Sequence, residues 1–119
     1  MPFVVTRANV PISTEQEVAL KERLGRAIVH VPDKSEAGLL LAFEGGAHLW
    51  AAGGDEPCAY VEASVFANDG HAGYEALSAD AAQALQDVLG IPPERVYVRF
   101  SDIPVWSVGG MLVDRRMFA

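Results

Sequence analysis

The residue with the most unusual chemical potential stands at the head of the chain, in Met1-Pro2. A small second residue permits removal of the initiator methionine. Processing then leaves a free prolyl amine at the start of residues 2–7, a β-branched and aromatic stretch that reads as a strand. An α-amino group titrates at about 7.7–8.0, nearer neutrality than lysine. Burial and neighbouring cations lower that value further, because both disfavour the charged form. A neutral secondary amine held in this way is a competent general base near pH 7. Pro2 equally suits a structural role alone, opening a strand where its missing N–H costs nothing.

Other chemistries find less support. His30, His48 and His71 have no metal-ligand spacing and no Cys-x-x-Cys partner, so they read as surface or edge residues rather than zinc ligands. The glycine pairs Gly45-Gly46 and Gly53-Gly54 lack both the dinucleotide-binding order and a Gly-Lys-Ser/Thr phosphate loop. Cys58 is the single cysteine; it cannot close an internal disulfide and reads as a buried, inert thiol in a reducing compartment. Nothing in the sequence calls for a cofactor or a metal.

The elements that must position Pro2 follow from periodicity. Ser13 with Gln16, or Thr14 with Glu17, can open a capping box. Behind it, Leu20, Leu24, Ala27, Ile28 and Val31 recur at helical spacing until Pro32. Residues 38–43 are a short apolar run, expected to form a strand buried on both faces. A glycine-punctuated connection leads to a strand at 57–67, then to a second helix carrying Tyr74, Leu77, Ala81, Leu85 and Val88, with Gly90 as its cap. After Pro92-Pro93, Val96, Val98 and Phe100 alternate with Tyr97, Arg99 and Ser101, which places Tyr97 and Arg99 on one face. The glycine-rich tail reads as irregular.

The expected fold class is therefore α+β, with two β-α-β units building a four-stranded mixed sheet and both helices on one face. One chain of 119 residues has nothing left to cover the other face, so a homo-oligomer is expected. Residues 1–119 are read as a single domain. The chain carries 9 Lys and Arg against 16 Asp and Glu, a net charge of −7, and half of its residues are hydrophobic. That composition excludes a disordered chain and disfavours nucleic acid and anionic membrane surfaces as partners. Stretches such as Leu39 to Phe43 are far too short to span a bilayer, and no signal peptide is visible, so a cytoplasmic location is expected.

Several segments occur together, in this order, in one known family. They are Met1-Pro2-Phe3, Asn9-Val10-Pro11, Lys34, Gly53 to Ala59 (Gly-Gly-Asp-Glu-Pro-Cys-Ala), Pro93 to Val98 with Asp102, and terminal Phe118-Ala119. Over residues 1 to about 102 the chain closely resembles the macrophage migration inhibitory factor family of the tautomerase superfamily. The resemblance implies a homotrimer with active sites between adjacent subunits. It also implies keto–enol tautomerisation of aromatic α-keto acids such as phenylpyruvate, or of dopachrome, with processed Pro2 as the base. By position, Lys34 matches the pocket lysine, Phe66 a residue whose backbone lines the pocket, and Tyr97 the tyrosine contributed across the interface. Phe118 matches the pocket phenylalanine near the C-terminus.

The departures from the family pattern bear on specificity. Arg99 stands where animal relatives carry a small neutral amide, and is read as a second positive group for the substrate, a solvated strand residue, or a partner for Asp102. Val61 replaces the family's second cysteine, so a Cys-x-x-Cys oxidoreductase activity is not supported. Trp106, in an altered tail, is read either as a pocket aromatic or as packing at a trimer edge. Two alternatives stay open on sequence grounds. One is a cytokine-like, protein-binding trimer with incidental turnover, the family being able to leave cells without a signal peptide. The other is a hydratase, dehalogenase or decarboxylase using the same amino-terminal proline.

Overall fold

Four strands build one twisted sheet in the order β2-β1-β3-β4: β1 (Pro2–Ala8), β2 (Leu40–Glu44), β3 (Ala59–Phe66) and β4 (Val96–Ile103). The structure is a computed structural model and describes residues 1–118; Ala119, from the terminal Phe118-Ala119 pair, lies outside the described residues. β1 runs parallel to β2, β3 runs parallel to β4, and β1 and β3 are antiparallel at the centre. Each parallel pair is joined through a helix, α1 (Thr14–Ala27) or α2 (Tyr74–Leu89). This is the mixed sheet of two β-α-β units that the alternating periodicities predict. Among the described residues, no helix is long and apolar enough to cross a membrane.

Local chemistry sets the helix ends. Of the two candidate capping boxes, the first forms: the Gln16 N–H donates to Ser13 Oγ at 3.1 Å, and the Ser13 N–H donates to Gln16 Oε1 at 2.9 Å. The helical periodicity through Val31 is carried by α1 and then by a tighter 3-10 turn over Ile28–His30. α2 starts after Gly73, at φ +81°, where a Cβ would collide with the His30 carbonyl oxygen. It stops at Gly90, whose φ of +71° is the left-handed cap expected there.

Both helices cover one face of the sheet. Leu20, Leu24, Ala81 and Leu85 pack there on Val4, Ala8, Val61 and Ala63. A second cluster, Ile28, Val31, Val65, Tyr74 and Leu77, sits under the end of the sheet that holds Pro2. The site at the head of β1 thus rests on a packed floor.

Two expectations need correction. Residues 38–43 do not form a strand buried on both faces: β2 is an edge strand, and Leu40 is 60% exposed. Leu39, Leu41 and Phe43 pack toward the helices, which leaves the other face of this apolar run open. The tail is not irregular either. β5 (Val105–Val108) and β6 (Met111–Asp114) form an antiparallel hairpin around Gly109-Gly110. Both glycines have positive φ, +61° and +83°, the backbone that a two-residue hairpin turn of the favoured twist requires.

Candidate active site

Pro2 opens β1, is fully buried, and lies opposite Val65 of β3. With no N–H to donate, it leaves its neighbour to complete the pairing: the Phe66 N–H donates to the Met1 carbonyl at 3.3 Å. The amino group that ends the chain here belongs to Met1, and its pKa lies below the ordinary value of an α-amine. Burial is the larger cause and the positive charge of Lys34 the second. This end of β1 therefore holds an amine toward its neutral, proton-accepting form.

Lys34 is delivered by the turn that follows the 3-10 segment. Asp33 adopts a left-handed φ of +64°, and the Lys34 N–H donates to the Val31 carbonyl at 3.2 Å. Lys34 is half-buried and makes no ion pair among the described residues, so its charge is free to act on the amine and on an anion.

Met1 and Pro2 line a cavity of about 470 Å³, together with residues 37–40 and Trp106 to Gly109 of the hairpin. Trp106 thus shares a cavity with Pro2. Phe66 is buried one residue beyond Val65, and the Phe118 ring meets it edge-on with centroids 6.1 Å apart. Phe118 itself remains 71% exposed.

Tyr97 and Arg99 are elsewhere. They share the face away from the helices, as alternation predicts, and Tyr97 lies opposite Tyr60, which lies opposite Arg7. Pro2 is five positions from Arg7, roughly 16 Å along the strand, and Tyr97 is two strands further across. One chain therefore does not bring Tyr97 to Pro2. Instead Tyr97 borders a second cavity of about 340 Å³, lined also by Leu49, Trp50, Cys58 and Tyr60. Beside it, the Tyr60 hydroxyl and the charge of Glu62 hold the Arg99 guanidinium above its usual range.

The family model for macrophage migration inhibitory factor matches residues 1–112, nearly the whole of this two-cavity arrangement. The chain belongs to the macrophage migration inhibitory factor family. A mouse relative described as D-dopachrome decarboxylase is 29% identical over 110 residues, covering 92% of each chain. Among solved structures of the family, Leishmania major MIF2 superposes with a TM-score of 0.88 at 23% identity, over 95% of this chain and 97% of that one. The Toxoplasma gondii factor gives 0.83 at 19% identity, over 93% and 99%. Pt0534, solved after inactivation by 2-oxo-3-pentynoate, gives 0.80 at 21% identity over 98% of each chain.

Within this member of the family, Asp102 is not the partner of Arg99. The two are three residues apart on a strand and so face opposite ways. Asp102 instead pairs with Arg115 and accepts the Asn68 N–H at 2.8 Å. Arg115 also reaches Asp69 at 3.3 Å, and its N–H donates to the Pro104 carbonyl at 2.8 Å. Arg115, unmarked by any motif, thereby fixes the turn (Arg115–Phe118) that sets Phe118 on Phe66. His30 pairs with Asp80 at 2.7 Å, and His71 stacks on Tyr74. Cys58 is buried and unpaired, as its sequence context suggests.

Proposed function

We propose that this chain is a keto–enol tautomerase acting on aromatic 2-oxo acids of the phenylpyruvate type, with Pro2 as general base once Met1 is removed. The observation that carries this reading is the amino end of the chain at β1, which lines a cavity and is held toward neutrality by partial burial and by the charge of Lys34. The names of two relatives support it. The mouse relative is described as D-dopachrome decarboxylase, which names an aromatic substrate of the superfamily, and Pt0534 was solved after inactivation by 2-oxo-3-pentynoate, itself a 2-oxo acid.

In this mechanism Lys34 pairs with the substrate carboxylate. The Pro2 nitrogen takes a proton from C3 as the electrons of that C–H bond move into the enol, whose oxygen is the carbonyl oxygen of the keto acid. Returning the proton to that oxygen completes the isomerisation with no net gain or loss of atoms. Trp106 and Phe118 provide apolar contact for the ring, and the Phe66 backbone lines the pocket. Tyr97 and Arg99 enter from a second copy of the chain, because the distance along the sheet forbids their entry from the same one.

A homotrimer supplies that second copy and covers the open sheet face. Leu40, Tyr97 and the hairpin residues Val105, Val108, Met111 and Leu112 all expose apolar surface in the single chain. The full length, 1–119, serves this site as one domain. Light scattering at micromolar concentration is expected to give the mass of three chains, and a monomer would dismantle the shared site.

The test of catalysis combines intact mass with ketonisation of enol-phenylpyruvate. Protein lacking Met1 is expected to turn over substrate. Protein retaining Met1 is expected to be inactive, because the Pro2 nitrogen is then an amide whose lone pair is delocalised. Equal activity of the two forms would sink the role of Pro2.

A further inference from the structure

The cation at Arg99 has a setting that the isomerisation of a monoanionic aryl keto acid leaves unused. Glu62, the carboxylate nearest to it in the register, is taken by Arg7 at 2.7 Å, and Arg7 also holds Glu44 at 2.6 Å. Arg99 itself makes no ion pair among the described residues. Tyr60, two residues before Glu62 and on the same face of β3, lines the aromatic cavity with Trp50 and Tyr97. An exposed guanidinium without an ion-pair partner, on the same sheet face as Tyr60 and Tyr97, is suited to receive a carboxylate at the far end of a ring.

We infer that Arg99 is a specificity-determining residue and that the preferred substrate is an enolisable aryl 2-oxo acid bearing a second anionic group on its ring. The inference rests on the proposed tautomerase reading, in which Arg99 of one copy meets the cavity of another. Lys34 then holds the 2-oxo carboxylate and Arg99 the distal one. The substrate lies between two unpaired cations of different subunits.

The matched probes are phenylpyruvate and 4-carboxyphenylpyruvate, which differ only in the para group. Calorimetric dissociation constants are compared with kcat/KM for both, using the Met1-free protein and the variants Arg99→Gln and Arg99→Lys. The wild type is expected to favour the para-carboxylated compound about tenfold or more in binding, from one charge-assisted contact. Arg99→Gln is expected to reduce that preference about tenfold, through KM rather than kcat, while Arg99→Lys keeps part of it. Light scattering confirms that each variant retains its assembly; a variant that dissociates is replaced by a salt titration of the wild type, in which the preference is expected to fade. A preference absent from the wild type, or unmoved by Arg99→Gln and by salt, overturns the inference while leaving tautomerisation of phenylpyruvate standing. Discrimination in binding without turnover of either probe sinks the tautomerase reading alone.

Discussion

Pro2→Ala, in protein freed of Met1, is expected to lower kcat/KM for phenylpyruvate ketonisation by about 10²–10⁴-fold, the range over which a positioned general base accelerates proton transfer. The pyrrolidine ring prevents rotation about the N–Cα bond and so fixes the direction of the nitrogen lone pair relative to the cavity. A primary amine at the same place can rotate and is more readily hydrated. The pH profile supplies the second half of the prediction. Burial and the Lys34 charge depress the pKa of the Met1 amine, and the same two causes act on whichever amine ends the chain there. Only the neutral amine accepts a proton, so activity falls as pH drops through its pKa, and a depressed pKa keeps the enzyme active to lower pH. Lys34→Gln removes one depressing cause. Its acidic limb is therefore expected to move to higher pH, with KM rising because the carboxylate loses its counter-charge. A limb that stays in place would mean that Lys34 binds substrate without tuning the base. Full activity in Pro2→Ala would remove Pro2 from the mechanism altogether.

The fold was legible wherever a local period was strong. Leu20 and Leu24 in α1, Leu77 and Leu85 in α2, and Val96 and Val98 in β4 lie on the faces that their spacing predicts, because burial on one face is what creates the period. The exposure of β2 was not legible, since a continuous apolar run reads alike whether its second face meets a helix or a second copy of the chain. The Gly109-Gly110 hairpin was missed although its turn signal is present, because the flanking Val105-Trp106-Ser107-Val108 and Met111-Leu112-Val113-Asp114 do not alternate cleanly. The site divides in the same way. Tyr97 and Arg99 could be placed on one face by counting, but their separation from Pro2 depends on strand order, which no spacing records. Arg115 escaped notice because its partner Asp102 comes close only when the hairpin reverses the chain.

Arg95→Ala is expected to destabilise the folded protein by about 3 kcal/mol in urea unfolding, the largest stability effect anticipated for an exchange outside the core. The Arg95 guanidinium donates to four backbone carbonyls: Glu56 at 2.9 Å, Pro57 at 3.0 Å, Ala51 at 3.1 Å and Gly54 at 3.2 Å. Its side chain is only 16% exposed. The segment that it clasps, residues 45–58, has almost no regular structure beyond the Ala51–Gly54 bridge, whose two backbone hydrogen bonds serve the Ala51 and Gly54 carbonyls but leave each a second lone pair for Arg95. Asn9 grips the same segment from β1, donating to Leu49, Asp55 and Glu56 carbonyls and accepting the Cys58 N–H at 2.8 Å. Hydrogen bonds to a charged group contribute about 1.5–3 kcal/mol each, but those to the exposed Pro57 and Glu56 carbonyls are replaced by water, so the net loss stays well below the sum. Arg95→Lys keeps the charge without the planar fork and is expected to lose about half as much. In the proposed trimer stability depends on concentration, so the variants belong at one chain concentration. The consequence reaches the site, because this segment carries Trp50 and hence one wall of the cavity beside Tyr97. A loosened wall is expected to raise KM for aryl substrates before the protein unfolds. A loss below about 1 kcal/mol with KM unchanged would show that Asn9 alone suffices to hold the segment.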